Sequence, residues 1–464
     1  MQPMTLSEIA DVVGGKLADA ADPDLVVTGP AAFDSRQAGP GVLFLALSGE
    51  HADGHAYARS AVESGAAAVL AARPVGVPAV IVDDVLAAFG RLGQHLVHTL
   101  DRTTIVAITG SAGKTSTKDL IAQLLQTAGP TVATPQSFNN EIGLPLTITM
   151  ADPSTGFLVL EMGARGVGHI RELTSVAPPQ ISVVTNVGTA HIGEFGGRDK
   201  IAEAKGEIVE ALPPGGLAVL NADDPLVLAM KHRTRARVAT YGLAPDATVR
   251  ATDVTLNEHG QPRFTLHTPE GTAPVQLQLV GEPQVHNALA ATAVAREAGL
   301  PLDQIADLLS SAAAQSRWRM EVTERADGVT IVNDAYNANP ASMGHALKAL
   351  SAMSRGRSRR AIAVLGHMNE LGEDSRTAHE TVGRSAAELD LDHVLFVGGE
   401  EARWMQQAAA AGGANAVHLD DQVAALDHLR SLLRTGDVVL LKASRGVRLE
   451  RLAERLLQPD SEGA

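Results

Sequence analysis

Short apolar runs alternate along this chain with stretches whose apolar positions recur every three or four residues, a pattern that predicts strands followed by helices. Near the start, Ile9, Val12 and Val13 share one helical face, with Ser7 placed to cap it. Leu43-Phe44-Leu45-Ala46-Leu47 predicts a buried strand ending in the turn Ser48-Gly49-Glu50. A helix from about Ala56 to Ser64 and a strand at Ala67-Ala68-Val69-Leu70 complete a small α/β unit. Its polar segments, Asp34-Ser35-Arg36 and Gly49 to His55, stand beside strands, where they are either a ligand's wall or solvated connections. From Thr104 the rhythm tightens. Ile105 to Ile108 reads as a buried parallel strand, and Leu120, Ile121, Leu124 and Leu125 fall at helical spacing. Phe157 to Leu160 is a strand running into Glu161, Ile181 to Val187 another ending in Gly188-Thr189-Ala190-His191, and Leu217 to Leu220 a third.

Between about Thr248 and Val280 the period changes to two, as in Val275-Gln276-Leu277-Gln278-Leu279, which predicts a small antiparallel sheet attached to the parallel one. An alanine-rich helix from Val285 to Ala298 follows. The last third repeats the strand–helix rhythm with Thr330 to Val332, Ala361 to Leu365, Val394 to Val397 and Val438 to Leu441, and Pro340 stands at a helix N1 position. The closing QPDSEGA carries no pattern and is expected to fray. The expectation is an α/β protein of three domains: residues 1–102, a central P-loop unit 103–320, and a Rossmann-like unit 321–464.

Length and composition agree, since 464 residues with 45% hydrophobic and 20% charged can bury several cores. The net charge of −15 argues against nucleic acid or an anionic membrane surface as the main partner. There is no cysteine, so disulfides, thiolate metal sites and thioester chemistry are excluded. The N-terminus lacks the apolar core of a secretory signal, no apolar stretch reaches spanning length, and the expected location is cytoplasmic.

The chemistry gathers at Thr109-Gly110-Ser111-Ala112-Gly113-Lys114-Thr115. A glycine turn between a parallel strand and a helix gathers free N–H groups and a helix N-terminus around one point, a geometry that binds phosphate. Lys114 would reach the β/γ-phosphates and the Thr115 hydroxyl would hold Mg²⁺. The usual eight-residue loop has its first glycine where Ile108 stands here, so this TGxxGKT is a tighter variant. Glu161 and His191 end strands on the same sheet edge, where α/β chemistry collects. One lysine interrupts an apolar stripe. Ile201, Lys205, Ile208 and Leu212 share a helical face, where an unpaired ammonium is costly unless its stem packs and its head snorkels out.

TGSAGKT, LEMG, VGTAHIGEFG with AEAKGEI downstream, RMEV and DAYNANPAS together resemble the Mur ligase family, nearly end to end. NNEIGLP, DAYNANPASM, GHMNELGE and LKASRG are most similar to members joining D-alanyl-D-alanine to UDP-N-acetylmuramoyl-tripeptide, and DSR…LFLALSGEHADGH resembles a uridine-nucleotide domain. His367 and Ala443 depart from that pattern, standing where an acidic residue and a glycine are common. The resemblance implies an ATP-dependent amide ligase of peptidoglycan synthesis working through an acyl phosphate. Its cofactors would be ATP and two Mg²⁺. The loop Thr109 to Thr115 would hold the phosphates, Thr115 and Glu161 the first Mg²⁺, and His191 would help hold a second. Lys205 matches the lysine that reacts with CO₂ to give an anionic carbamate, an oxygen ligand suited to Mg²⁺. Asn287 and Asp334 resemble nucleotide-positioning residues, and Arg319 an arginine reaching ATP from a domain junction. We expect a monomer without membrane insertion. A P-loop kinase or NTPase, a folyl-polyglutamate synthetase and the tripeptide-forming Mur enzyme remain the rival readings.

Overall fold

Thr5, not Ser7, starts the first helix. In the computed structural model, which describes residues 1–19, 21–49, 52–188, 192–355 and 359–458, the helix Leu6–Val13 begins with a reciprocal cap. Thr5 Oγ1 accepts from Glu8 N, and the Glu8 carboxylate accepts from Thr5 N at 2.8 Å. Ser7 has Ala10 three residues on and so cannot form this pair. His191, with Thr189 and Ala190, lies outside the described residues, as does the tail beyond Gln458. The N-terminal sheet runs in the order 16–18, 79–81, 68–71, 43–45, 31–32, antiparallel at its first pairing and parallel thereafter.

The central unit is one nine-stranded sheet. Its middle strand, β1 (Thr104–Thr109), feeds helix α1 (Lys114–Leu125) and lies between β2 (Phe157–Glu161) and β3 (Ile181–Val184), parallel to both. Glu161 pairs with Ile108 and Val184 with Thr109, so three strand ends finish level around the glycine turn. Helix α2 (His169–Val176) and helix α3 (Arg198–Glu210) flank β3 in sequence. The period-two region forms strands 249–256, 262–268 and 271–276, and its first strand joins strand 237–242 in parallel. The antiparallel part is therefore continuous with the main sheet. Helix α4 (Pro283–Glu297) covers the other face.

In the C-terminal unit, β4 (Thr330–Asn333) precedes α5 (Pro340–Arg355), which has Pro340 at its start as expected, and β5 (Val438–Lys442) comes near the end. The six-stranded sheet is parallel except for strand 321–324 at its edge. One apolar core runs unbroken from Phe89, Leu92 and Leu96 of helix Val85–His98 to Leu144, Leu146 and Ile148, and on to Leu158 and Leu160 of the central sheet. The two cores of the C-terminal unit draw their buried residues from that unit alone, Val280 excepted. Among the described residues, no helix is long and apolar enough to cross a membrane.

Candidate active site

Residues of all three units line one cavity of about 950 Å³ over the strand ends, among them Leu86 and Gly90, the loop from Gly110 to Thr115, and Asp334. Gly110 has φ 153° and lies so near β3 that a Cβ would sit 1.7 Å from Thr185 Oγ1. Gly113 has φ 80°, and a Cβ there would meet Asn287 Oδ1 at 2.7 Å. Neither position tolerates another residue in this backbone. Thr109, expected to bind phosphate, is fully buried at the end of β1 and does not line the cavity. The reason is that the strand continues through it, its carbonyl accepting from Thr185 N at 3.0 Å.

Lys114 Nζ donates to Gly110 O at 2.8 Å. Burial pushes its pKa below the ordinary lysine value, against the opposing pull of the Glu161 carboxylate. Thr115 Oγ1 donates to Glu161 Oε2 at 2.8 Å, and both residues are buried. Two hard oxygen donors thus meet at the foot of the loop. That suits Mg²⁺, which takes one or two protein oxygens and draws the rest from phosphates and water. Among the described residues no group of three or more His, Asp or Glu could hold a metal alone, consistent with a metal shared with a nucleotide. Lys205 is buried, at 4% exposure, and faces the same cavity, so its head does not snorkel out to solvent. Burial first, then the charge of Lys114, drives its pKa well below the lysine range. Among the described residues no carboxylate pairs with it, and its amine is held toward the neutral form.

Arg319 crosses the junction. Its Nη2 donates to Thr115 Oγ1 at 3.2 Å and Ser137 Oγ at 3.1 Å, and its guanidinium stacks 4.1 Å from the Tyr336 ring centre. The residues on either side, Trp318 and Met320, have φ of 60° and 52°, a left-handed conformation that bulky side chains rarely adopt. They are held there: Trp318 N donates to Glu321 Oε2, and Met320 N to Asp334 Oδ1. Asp334 is in turn paired with the buried Lys442 ammonium. Asn287 Oδ1 accepts from Thr117 Oγ1 at 3.1 Å, which braces the first turn of α1.

Several residues here escaped the sequence reading. Asn139 donates to Glu161 Oε1 at 2.7 Å, fixing the carboxylate, and Lys118 holds the carbonyls of Thr134 and Gln136 in the segment leading to Ser137. Lys442 lies in LKASRG, a motif noted without a role for its lysine. The apolar run from Ile181 to Val187 predicts one strand, but β3 stops at Val184 because Thr185 and Asn186 turn out to bond the loop.

Family models match three stretches: "Mur ligase family, catalytic domain" over residues 32–97, "Mur ligase middle domain" over 108–295, and "Mur ligase, glutamate ligase domain" over 318–445. The UDP-N-acetylmuramoyl-tripeptide–D-alanyl-D-alanine ligase of Mycobacterium tuberculosis is 46% identical over 100% of this chain and 99% of its own. The enzyme of that name from Escherichia coli is 35% identical over 98% and 99%. Among solved structures, MurF from Acinetobacter baumannii superposes with a TM-score of 0.86 at 31% identity, covering 98% of this chain and 99% of that one. MurF from Thermotoga maritima, in complex with ADP, gives 0.79 at 31%, covering 92% and 97%. With three units around one shared cavity and a full-length match, the chain belongs to the Mur ligase family.

Proposed function

We infer that the protein is an ATP-dependent amide ligase that adds D-alanyl-D-alanine to UDP-N-acetylmuramoyl-tripeptide in peptidoglycan synthesis. The observation carrying this is the meeting of the Thr115–Glu161 oxygen pair, Lys114 and buried Lys205 in one cavity walled by all three units. Full-length relatives of that activity support the choice of substrates. The division falls at 1–102 for the UDP-sugar peptide, 103–320 for ATP and 321–464 for the lid, and the enzyme works in the cytoplasm as a monomer. The terminal carboxylate of the tripeptide attacks the γ-phosphorus, expelling ADP and leaving an acyl phosphate. The amine of D-alanyl-D-alanine then attacks the acyl carbon, loses a proton and expels phosphate.

Lys114 and the first amides of α1 hold the nucleotide phosphates and offset the repulsion between the two anionic reactants. Thr115 and Glu161, with the phosphates, would hold one Mg²⁺ and His191 would help hold a second, which when bound would supply Lewis-acid charge at the same point. Lys205, kept toward its neutral form, bonds through Nζ to the carbon of CO₂ and loses a proton to solvent. The product would be an anionic carbamate, whose oxygens would offer Mg²⁺ a hard ligand. Arg319 reaches the nucleotide from the junction, and Asn287 and Asp334 keep loop and junction in register. The closing C-terminal unit keeps water from the acyl phosphate.

Phosphate release from ATP tests this in two arms. In the wild type, release requires both UDP-tripeptide and D-alanyl-D-alanine, whereas release with neither present would make the protein an NTPase. Lys205→Ala is expected to lose activity on the order of 10²-fold, partly restored by short carboxylates in the buffer. Lys205→Arg is not expected to restore it, since a guanidinium offers no acceptor. A fully active Lys205→Arg would leave the carbamate without support.

A further inference from the structure

A loop that begins one turn late must keep its shape with fewer residues. In TGSAGKT the position of the usual first glycine is Ile108, inside β1. In the bend from Gly110 to Ala112 the amides of Ser111 and Ala112 take their acceptors from just beyond β3. The carboxamide of Asn186, two residues beyond the strand, lies within reach of both bend amides. Its Oδ1 accepts from Ser111 N at 3.1 Å and Ala112 N at 2.9 Å, and its Nδ2 donates to Ala112 O at 3.3 Å. The backbone of the same residue accepts again from Ser111 N at 3.0 Å. Thr185 Oγ1 donates to Ala112 O at 2.6 Å, and Gly188 N to Ser111 Oγ at 2.9 Å. With Ser111 and Ala112 turned inward onto Asn186, the amides left facing the cavity are those opening α1, which have no acceptor inside their own helix.

We propose that Asn186 is a positioning residue for the phosphate loop. Its side chain acts as a substitute peptide group, fixing Gly110 to Ala112 so that the first amides of α1 converge on one anion. A carboxamide suits this role because it accepts two hydrogen bonds and donates to a third group at once. The proposal rests on the reading of this loop as the nucleotide site.

The test pairs amide hydrogen exchange over residues 109–115 of the nucleotide-free protein with calorimetric titration of Mg-ADP. Asn186→Ala is expected to speed exchange at Ala112 by about tenfold or more, and less at Ser111, which keeps its bond to the residue-186 carbonyl, and to weaken ADP binding by about tenfold or more, while thermal unfolding stays cooperative. Asn186→Asp keeps both acceptors, so its loop should exchange at close to the wild-type rate, with Asn186→Ser between the two. Exchange and ADP affinity within twofold of wild type in Asn186→Ala would overturn the proposal. If that variant does not fold, Asn186→Asp exchanging faster than Asn186→Ser overturns it instead. A wild type that binds no Mg-ADP is a different failure, that of the nucleotide reading itself.

Discussion

The central unit meets its two neighbours in opposite ways. Toward the N-terminal unit the junction is apolar and continuous: Gly93 sits where a Cβ would lie 3.1 Å from Pro145 Cβ, and Phe89 and Leu96 flank it on the same helical face. Gln94 adds a hydrogen bond to Ser175 O, and Ala31 N a buried one to Thr149 Oγ1. Toward the C-terminal unit the apolar contact narrows to Val280, which enters the C-terminal core, and the rest of the junction touches at polar and backbone points. Arg319, anchored on Thr115 and Ser137, stacks on Tyr336 of the C-terminal unit, and Gly193 approaches Gly372 so closely that a Cβ would stand 2.8 Å from the Gly372 nitrogen. An apolar seam resists opening because parting it exposes surface to water. Polar point contacts exchange with water at little cost. The chain therefore builds a fixed platform on one side of the nucleotide site and a movable cover on the other.

Breaking the apolar seam should produce the largest effect. Phe89→Ala empties a fully buried site and is expected to cost about 3–5 kcal/mol, lowering the midpoint of thermal unfolding for the N-terminal and central units together. If the two units then melt separately, the seam is weaker than its packing implies. On the polar side, Arg319→Ala should reduce kcat on the order of 10²-fold while calorimetry shows an almost unchanged unfolding midpoint. A large drop in midpoint would mean that this junction is structural too. The smallest change sharpens the contrast further. Gly193→Ala puts a methyl group into the backbone approach at Gly372 and should lower kcat by roughly three- to tenfold, since about 1 kcal/mol lost from a closed state is about fivefold, with no effect on stability. Fluorescence from a label on the C-terminal unit should show slower or less complete closure in this variant.

How legible these features were depends on how far apart their parts lie in sequence. The phosphate loop could be read because strand, turn and helix are consecutive, and Lys205 because its burial follows from neighbours one or two helical turns away. The antiparallel strands announced themselves by period, though their continuity with the main sheet rests on the pairing of Tyr241 and Gly242 with Val249 and Arg250, which no pattern encodes. Asn139, Asn186 and Lys442 left no local signal because they act on partners 22, 75 and 108 residues away. A short polar residue after a strand is common in any chain. The missing glycine at Ile108 marks the loop as a tighter variant, but that spacing says nothing of Asn186. Arg319 was found by likeness, but the left-handed residues on either side of it were invisible, since neither Trp nor Met is expected in that conformation.

The apolar seam also bears on how the chain is made. Its core takes in residues from Met1 to Met230, so the N-terminal sheet cannot finish burying one face until nearly half the polypeptide has left the ribosome. During that interval Phe89, Leu92 and Leu96 are exposed to any chaperone or neighbouring chain. The C-terminal unit, whose cores are almost wholly its own, can fold as soon as it is synthesised. Burial of the C-terminal cores therefore waits on little outside that unit, whereas the long wait falls on the apolar seam.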